Sequence, residues 1–285
     1  MDLVFQALAL GVLQGLTEFV PVSSSAHLVL LPWFFDWQTP ILESLAFDMA
    51  LHLGTLAALL FYFAKDWKRV AVAGFLSLRE RRIGDDPDRR MAWFLVVGSL
   101  PGGLAGMLLE KRIEGLFHGE SLTNAAVIAI AVGLAGMGTL LFLAERFSSK
   151  TRPQASLGFR DALLIGLAQS LAIFPGVSRS GSTLTAGLAL GLTREAAARF
   201  SFLLSAPLIA GAGLMSVVKI GKSIQSGAVG RNDLVLVLVG FLAAAISGFA
   251  CIHWLLRFIR NHPVNIFVYY RWALAAVVVG FVVFR

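Results

Sequence analysis

Long apolar runs dominate the chain, and polar residues interrupt them at two related places. Residues 3–20 are apolar and helical in pattern, residues 26–35 are apolar again, and Pro21 to Ser25 break the run between them. Neither arm has the ~20 apolar residues of a clean membrane span, so the pair predicts a helix–break–helix hairpin that enters a membrane and turns back. Longer apolar segments follow at about 42–64, 91–109 and 122–144. The charged stretch from Lys65 to Arg90 predicts a loop, with Gly84 to Asp88 as its solvated turn. Residues 146–160 form a polar linker containing Pro153.

The pattern then restarts. A short apolar arm (159–173), a Gly/Ser-rich break (175–183, PGVSRSGST) and a second short arm (184–192) precede longer segments at about 194–218, 233–258 and 267–284. A shift of 155 positions superposes Gly11 on Gly166, Gln14 on Gln169, Phe19 on Phe174, Val22 on Val177, Ser23 on Ser178 and Ser25 on Ser180, without a gap. The expected fold is therefore an all-α polytopic membrane protein of about ten helices, six of them spanning. It is a single membrane domain over 1–285, built from repeat one (1–150) and repeat two (155–285). Each repeat is a re-entrant hairpin plus three spans. Three is odd, so the second repeat starts on the opposite side and is inverted, and the two breaks meet near the membrane midplane.

Loop charge adds a direction. Lys65, Lys68, Arg69, Arg146, Lys150, Arg160, Arg194, Arg257, Arg260 and Arg271, among others, fall to one side of this layout. Lys111, Arg112, Lys219, Lys222, Arg231 and Arg285 fall to the other. The first side is expected to be cytoplasmic, which puts both termini and the mouth of the first hairpin on the outer face. Composition agrees with a membrane class: 57% of the 285 residues are hydrophobic and 14% charged, against about 25% charged in soluble domains. The net charge of +7 lies in loops, so it reads as a topology signal and no nucleic-acid partner is expected. No Lys or Arg precedes the first apolar run, and Gln14 and Glu18 interrupt it, so it reads as a membrane element rather than a cleaved leader. Cys251, the single cysteine, allows no internal disulfide.

Candidate chemistry concentrates in the breaks. Gln14 and Glu18 lie four apart on one helical face and suit a hard divalent cation or a water. An intramembrane carboxylate usually serves a site, the structural alternative being an ion pair with an arginine of the other repeat. Ser23, Ser24 and Ser25 offer hydroxyl nucleophiles if Glu18 or His27 acts as base, although serines after a proline also cap helices. Arg179, among Ser178, Ser180, Ser182 and Thr183 and just before a helix, makes an anion site. Asp48 and His52 form a weaker pair at i,i+4, either a support for the site or a buried polar pair. Arg199 belongs either to the corresponding span of the second repeat or to a helix end.

QGLTEFVPVSSSAH (14–27) and FPGVSRSGST (174–183) resemble the two signature stretches of the undecaprenyl pyrophosphate phosphatases, the bacitracin-resistance type of lipid phosphatase. FDMALHLGT (47–55) and ARFSFLLSAP (198–207) extend the likeness, and the segment order fits end to end. Gln14 stands where many members have Glu, and Ser25-Ala26 where many have Thr-Gly. The resemblance implies removal of the terminal phosphate of a C55 polyprenyl diphosphate, recycling the carrier lipid for cell-wall synthesis. It implies a location in the bacterial plasma membrane, with surrounding lipids as neighbours, and a divalent cation, Mg²⁺ or Ca²⁺, on Gln14 and Glu18. The expected roles put Ser24 as nucleophile, with direct water attack left open, and His27 in proton transfer. Arg179 clamps phosphate with Ser23, Ser25, Ser178, Ser180 and Thr183. The rival class is a polyprenyl-phosphate transporter or flippase on the same inverted-repeat site, and a binding or scaffold protein is a third. Homodimer formation is left open.

Overall fold

The computed structural model describes residues 3–37, 39–42, 44–117, 123–225 and 231–284. Eleven α-helices account for most of them: α1 (Leu3–Phe19), α2 (Ser24–Phe35), α3 (Leu45–Tyr62), α4 (Ala64–Glu80), α5 (Pro87–Phe117), α6 (Asn124–Phe147), α7 (Phe159–Ser170), α8 (Arg179–Ala189), α9 (Arg194–Gln225), α10 (Arg231–Asn261) and α11 (Asn265–Phe284). No strand occurs among the described residues. Five helices are long and apolar enough to span a membrane, and the bent pair α3–α4 makes a sixth candidate. The protein is thus an all-α polytopic membrane protein.

Each boundary has a local cause. Pro21 ends α1, and Ser23 caps α2 by accepting from Ala26 N at 3.4 Å. Ser44 caps α3 and Thr123 caps α6 in the same way. Asp86 accepts from the backbone N–H groups of Asp88 (2.9 Å) and Arg89 (3.0 Å), so α5 opens with Pro87 at its first position.

The stretch expected to be a loop, Lys65 to Arg90, is mostly the helix α4, bent 83° from α3. Its buried residues are Val70, Ala73 and Ser77, spaced three and four apart on one face. Ser77 also accepts from Trp93 Nε1 at 2.9 Å. Charge density over the window suggested loop, whereas nine of the seventeen residues of α4 are apolar and its buried positions recur at helical spacing, which specifies an amphipathic helix. Only the turn between α4 and α5 matches the expectation.

Packing between helices is reciprocal. α1 packs on α10 as α7 packs on α5, α3 on α10 as α9 on α5, and α1 on α2 as α7 on α8, while α3·α9 and α6·α11 join like elements. Small residues permit the closest approaches. A Cβ on Gly11 would lie 2.5 Å from the Gly240 carbonyl oxygen, and one on Gly166 would lie 2.2 Å from that of Gly98.

Ion pairs gather where α9 begins. Arg194 pairs with Glu145 at the end of α6, Glu195 with Arg260 at the end of α10 (2.5 Å), and Arg199 with Asp66 at the start of α4 (3.3 Å). Arg199, which also lies over the Phe63 ring, is therefore a helix-end residue. The linker beside it is pinned by Arg152, which donates to Asp161 (2.7 Å) and to the Leu190 carbonyl (2.8 Å). Arg271, expected in a loop on the charged side, is instead inside α11 and fully buried. Lys111, Lys219, Lys222, Arg231 and Arg285, counted toward the other side, have side chains outside the described set.

Candidate active site

The two breaks meet. Ser23 and Ser178, one repeat apart in sequence, both cap the returning helix and both hold positive φ angles, 80° and 74°. Such backbone costs of order 1–3 kcal/mol per residue outside glycine and persists where surroundings hold it. Here they do. Ser23 Oγ accepts from Gly176 N (3.2 Å) across the repeats and lies 3.3 Å from Ser25 Oγ. Ser178 Oγ accepts from Gly181 N (3.0 Å) and lies 3.2 Å from Ser180 Oγ, which donates to the Val20 carbonyl at 3.0 Å. The first residues of the two returning helices are Ser24 and Arg179, and both turn to one carboxylate, Glu18.

Glu18 is buried and fully engaged. Arg179 Nη2 donates to Oε1 in a short ion pair. Ser24 Oγ donates to Oε2 at 2.5 Å, and Gln14 Nε2 donates to the same oxygen at 3.0 Å. Arg179 Nη1 also reaches the Ser205 carbonyl at 3.3 Å. His52 Nε2 stands 3.9 Å from Oε2, its ring turned there by a 2.8 Å contact between Nδ1 and the Asp48 backbone carbonyl. The structure thus brings Gln14, Glu18, Ser24, His52 and Arg179 to one point, and sets Asp48 one helical turn away. Ser24, Ser25, His52 and Arg179 keep partial exposure, whereas Ser23, Ser178, Ser180 and Thr183 are buried. Thr183 Oγ1 is spent on Ser201 Oγ (2.5 Å) and the Arg179 carbonyl (2.8 Å).

His27 faces elsewhere. Its Nδ1 lies 2.6 Å from the Ser23 carbonyl and its Nε2 2.7 Å from Tyr270 Oη, with the two rings stacked. A carbonyl only accepts, so Nδ1 donates to it, and Nε2 is left to the Tyr270 hydroxyl. Beside Tyr270, Arg271 donates to five backbone carbonyls, on Pro21, Gly133, Leu134, Gly176 and Val177, at 2.6–3.2 Å. It ties both breaks to α6 and α11. Sequence reasoning missed Tyr270, Arg271, Ser201 and Ser205. An arginine four residues into the apolar run 267–284 was the available signal, because a charge inside a span has a reason to be there.

A cation would find oxygen donors here but no closed cage. No group of three or more His, Cys, Asp or Glu ligands exists among the described residues. Gln14 Oε1, however, is buried without a partner beside Glu18. Two oxygen donors fit a hard cation that keeps waters and takes its remaining ligands from phosphate.

This chain is similar along nearly its whole length to known proteins. The undecaprenyl-diphosphatase of Thermomicrobium roseum is 47% identical over 274 residues, covering 96% of each chain. That of Desulforudis audaxviator is 45% identical over 281 residues, 99% of this chain and 98% of the relative. That of Caldicellulosiruptor bescii is 41% identical over 281 residues, again covering 99% and 98%. The family model described as bacitracin resistance protein BacA matches residues 7–277, a span that contains both breaks and every residue contacting Glu18, and the chain belongs to that family.

Proposed function

We propose that this chain is an integral membrane phosphatase that hydrolyses undecaprenyl diphosphate to the monophosphate and phosphate, returning the carrier lipid to cell-wall synthesis. The observation that carries this is the convergence on Glu18 of Ser24 and Arg179, each the first residue of a helix that begins at a break. Two helix N-termini, a guanidinium and a positioned hydroxyl suit a diphosphate, since phosphoryl transfer needs mainly placement and charge neutralisation. The transporter alternative is not favoured, because the relatives above carry the name of a hydrolase.

In this mechanism the terminal phosphate seats between the N-termini of α2 and α8. Arg179 turns from Glu18 to the phosphate, and Glu18 Oε2 keeps the hydrogen bond from Ser24 Oγ. Glu18 takes the Ser24 proton, Ser24 Oγ bonds to the terminal phosphorus, and the bond from that phosphorus to the bridging oxygen breaks. The lipid monophosphate leaves with the bridging oxygen. Glu18 passes the proton it took to that departing oxygen. Water then gives a proton to Glu18 as its oxygen bonds to phosphorus, the bond from phosphorus to Ser24 Oγ breaks, and Ser24 Oγ takes the proton back from Glu18 as phosphate leaves. Ser23, Ser25, Ser178, Ser180 and Thr183 hold the breaks and their N–H groups in place. His27, sequence-expected to move a proton, fixes the first break through Ser23 and Tyr270. His52 stands beside Glu18 Oε2, with the Asp48 carbonyl holding its ring.

Glu18 and Gln14 would hold the divalent cation, Mg²⁺ or Ca²⁺, which supplies charge neutralisation to the phosphates. Purified protein should release phosphate from undecaprenyl diphosphate in detergent. Chelator should lower the rate at least ~10-fold, and added Mg²⁺ should restore it. Unchanged turnover in chelator removes the cation from this reading, and no turnover under either condition removes the phosphatase.

The prenyl chain has a path beside the site. A cavity of about 470 Å³, lined almost wholly by apolar groups including Leu16, Val20, Val22, Ala250, Trp254 and Tyr270, runs along α1, α10 and α11 to the first break. Ala250 is exposed on its wall. Ala250→Trp should raise KM for the C55 substrate about tenfold, a loss of ~1.4 kcal/mol, and leave inhibition by inorganic pyrophosphate, which has no tail, unaffected. An equal loss for both would refute the tail assignment.

The ion pairs that tie α9 to α4, α6 and α10 bring the basic junctions to one end. By the positive-inside rule that end is cytoplasmic, with the mouth of the site on the outer face. The reciprocal packing of α1–α6 and α7–α11 supports two inverted repeats, 1–150 and 155–285.

A further inference from the structure

The largest fully buried side chain in the described part of the molecule is Arg271. It is an arginine in the interior of a membrane helix, and such a charge persists where it serves a site or finds a partner. Among the described residues no carboxylate lies within 4.0 Å of it. Its donors are spent on backbone: Nε on Leu134 O (3.0 Å), Nη1 on Pro21 O (3.0 Å), and Nη2 on Gly176 O (2.6 Å), Val177 O (3.1 Å) and Gly133 O (3.2 Å). Carbonyl dipoles solvate the guanidinium without cancelling its charge. A Cβ placed on Gly181, in the first turn of α8, would lie 3.3 Å from Arg271 Nη1, so the charge sits directly behind the anion-binding end of that helix. Glu18 and Arg179 neutralise each other in front of it.

We propose that Arg271 is a positioning residue that never touches the substrate, and that it acts in two ways. It fixes the spacing of the two breaks by bonding Pro21 of one and Gly176 and Val177 of the other. It also places behind the site a positive charge that no carboxylate cancels, and an incoming diphosphate is attracted by that charge. This rests on the phosphatase reading above for its substrate and on the geometry of the breaks for everything else.

The two actions separate by substitution. Lysine keeps the charge but has three N–H donors on one nitrogen and no fork, so it cannot span carbonyls on both breaks and α6. Glutamine keeps a donor and removes the charge. The full chain in detergent would be assayed for kcat and KM with undecaprenyl diphosphate and for inhibition by inorganic pyrophosphate, an anion without a tail. Arg271→Lys should lose at least ~10-fold in kcat with KM and pyrophosphate inhibition within ~3-fold of wild type. Arg271→Gln should in addition weaken both KM and pyrophosphate inhibition at least ~10-fold. A folded Arg271→Gln with wild-type KM and inhibition overturns the charge role, even if it melts at a lower temperature. Wild-type kcat in Arg271→Lys overturns the spacing role, and this variant decides if the glutamine one does not fold. If the wild-type protein itself releases no phosphate, the phosphatase reading fails. Pyrophosphate-dependent thermal shifts of wild type and variants then still decide the charge role: a shift lost in Arg271→Gln and kept in Arg271→Lys supports it, and equal shifts overturn it.

Discussion

Arg179→Ala is expected to abolish phosphate release, lowering kcat/KM by at least ~10³-fold, and to lower stability as well. The first effect follows from its position. Among the side chains that contact Glu18, Arg179 is the cation held at the start of a helix and still partly open, at 17% side-chain exposure. Groups that clamp transferring phosphoryl charge typically carry ~10²–10³ in rate apiece, and Arg179 also holds the Glu18 carboxylate in place. The second effect follows from what is left behind. Glu18 stays buried with its Oε1 unpaired, and breaking a buried pair from one side costs about 3–5 kcal/mol. The two effects can be pulled apart. Glu18→Gln/Arg179→Ala removes both charges, so the double variant should melt above the Arg179→Ala single variant while remaining inactive. A thermal-unfolding and turnover series over wild type, both singles and the double measures this. If Arg179→Ala keeps a tenth of wild-type turnover, the clamp lies elsewhere.

Ser24→Ala is expected to lower kcat by at least ~10³-fold with KM almost unchanged, because the hydroxyl bonds phosphorus only after substrate is bound. Its 2.5 Å hydrogen bond to Glu18 already aligns donor with base. Rapid quench of wild type should trap phosphate on Ser24, readable by peptide mass. The alternative is sharp. Should Ser24→Ala turn over near-normally while Glu18→Ala and Arg179→Ala do not, water is the nucleophile and Glu18 its base.

Much of the site was legible because it is local. Gln14 and Glu18 share a helical face by spacing alone, and Ser23, Ser24, Ser178 and Arg179 follow breaks that proline and glycine impose. The meeting of Glu18 with Arg179 was also foreseeable once the 155-position shift related the breaks, since an isolated carboxylate in a membrane needs a partner. Other features were hidden by the way a window of sequence is read. α4 carries Lys65, Lys68, Arg69 and Arg79 beside its nine apolar residues, so the charges outweighed its helical period. Arg271 looked like the edge of a loop, because a charge near the start of an apolar run reads as a boundary. His27 was expected to move a proton, and its partner Tyr270, distant in sequence, comes into view only in the fold.

The sequence by itself determined the class, the two broken hairpins, their repeat and the chemical types gathered in them. Apolar run length, helix period and proline placement are properties of neighbouring residues, and they act before any packing. Tertiary structure alone decided which of the many polar groups face the open site and which hold it up. Ser24 and Ser23 are adjacent and chemically identical, yet one points at Glu18 and the other caps a helix and grips Gly176. That choice depends on the positive φ of Ser23, which is held by contacts from the opposite repeat. It also depends on Arg271, whose five carbonyl partners lie on three separate parts of the chain. Such long-range hydrogen bonds have no signature in any single window, because their geometry exists only once the two halves have packed.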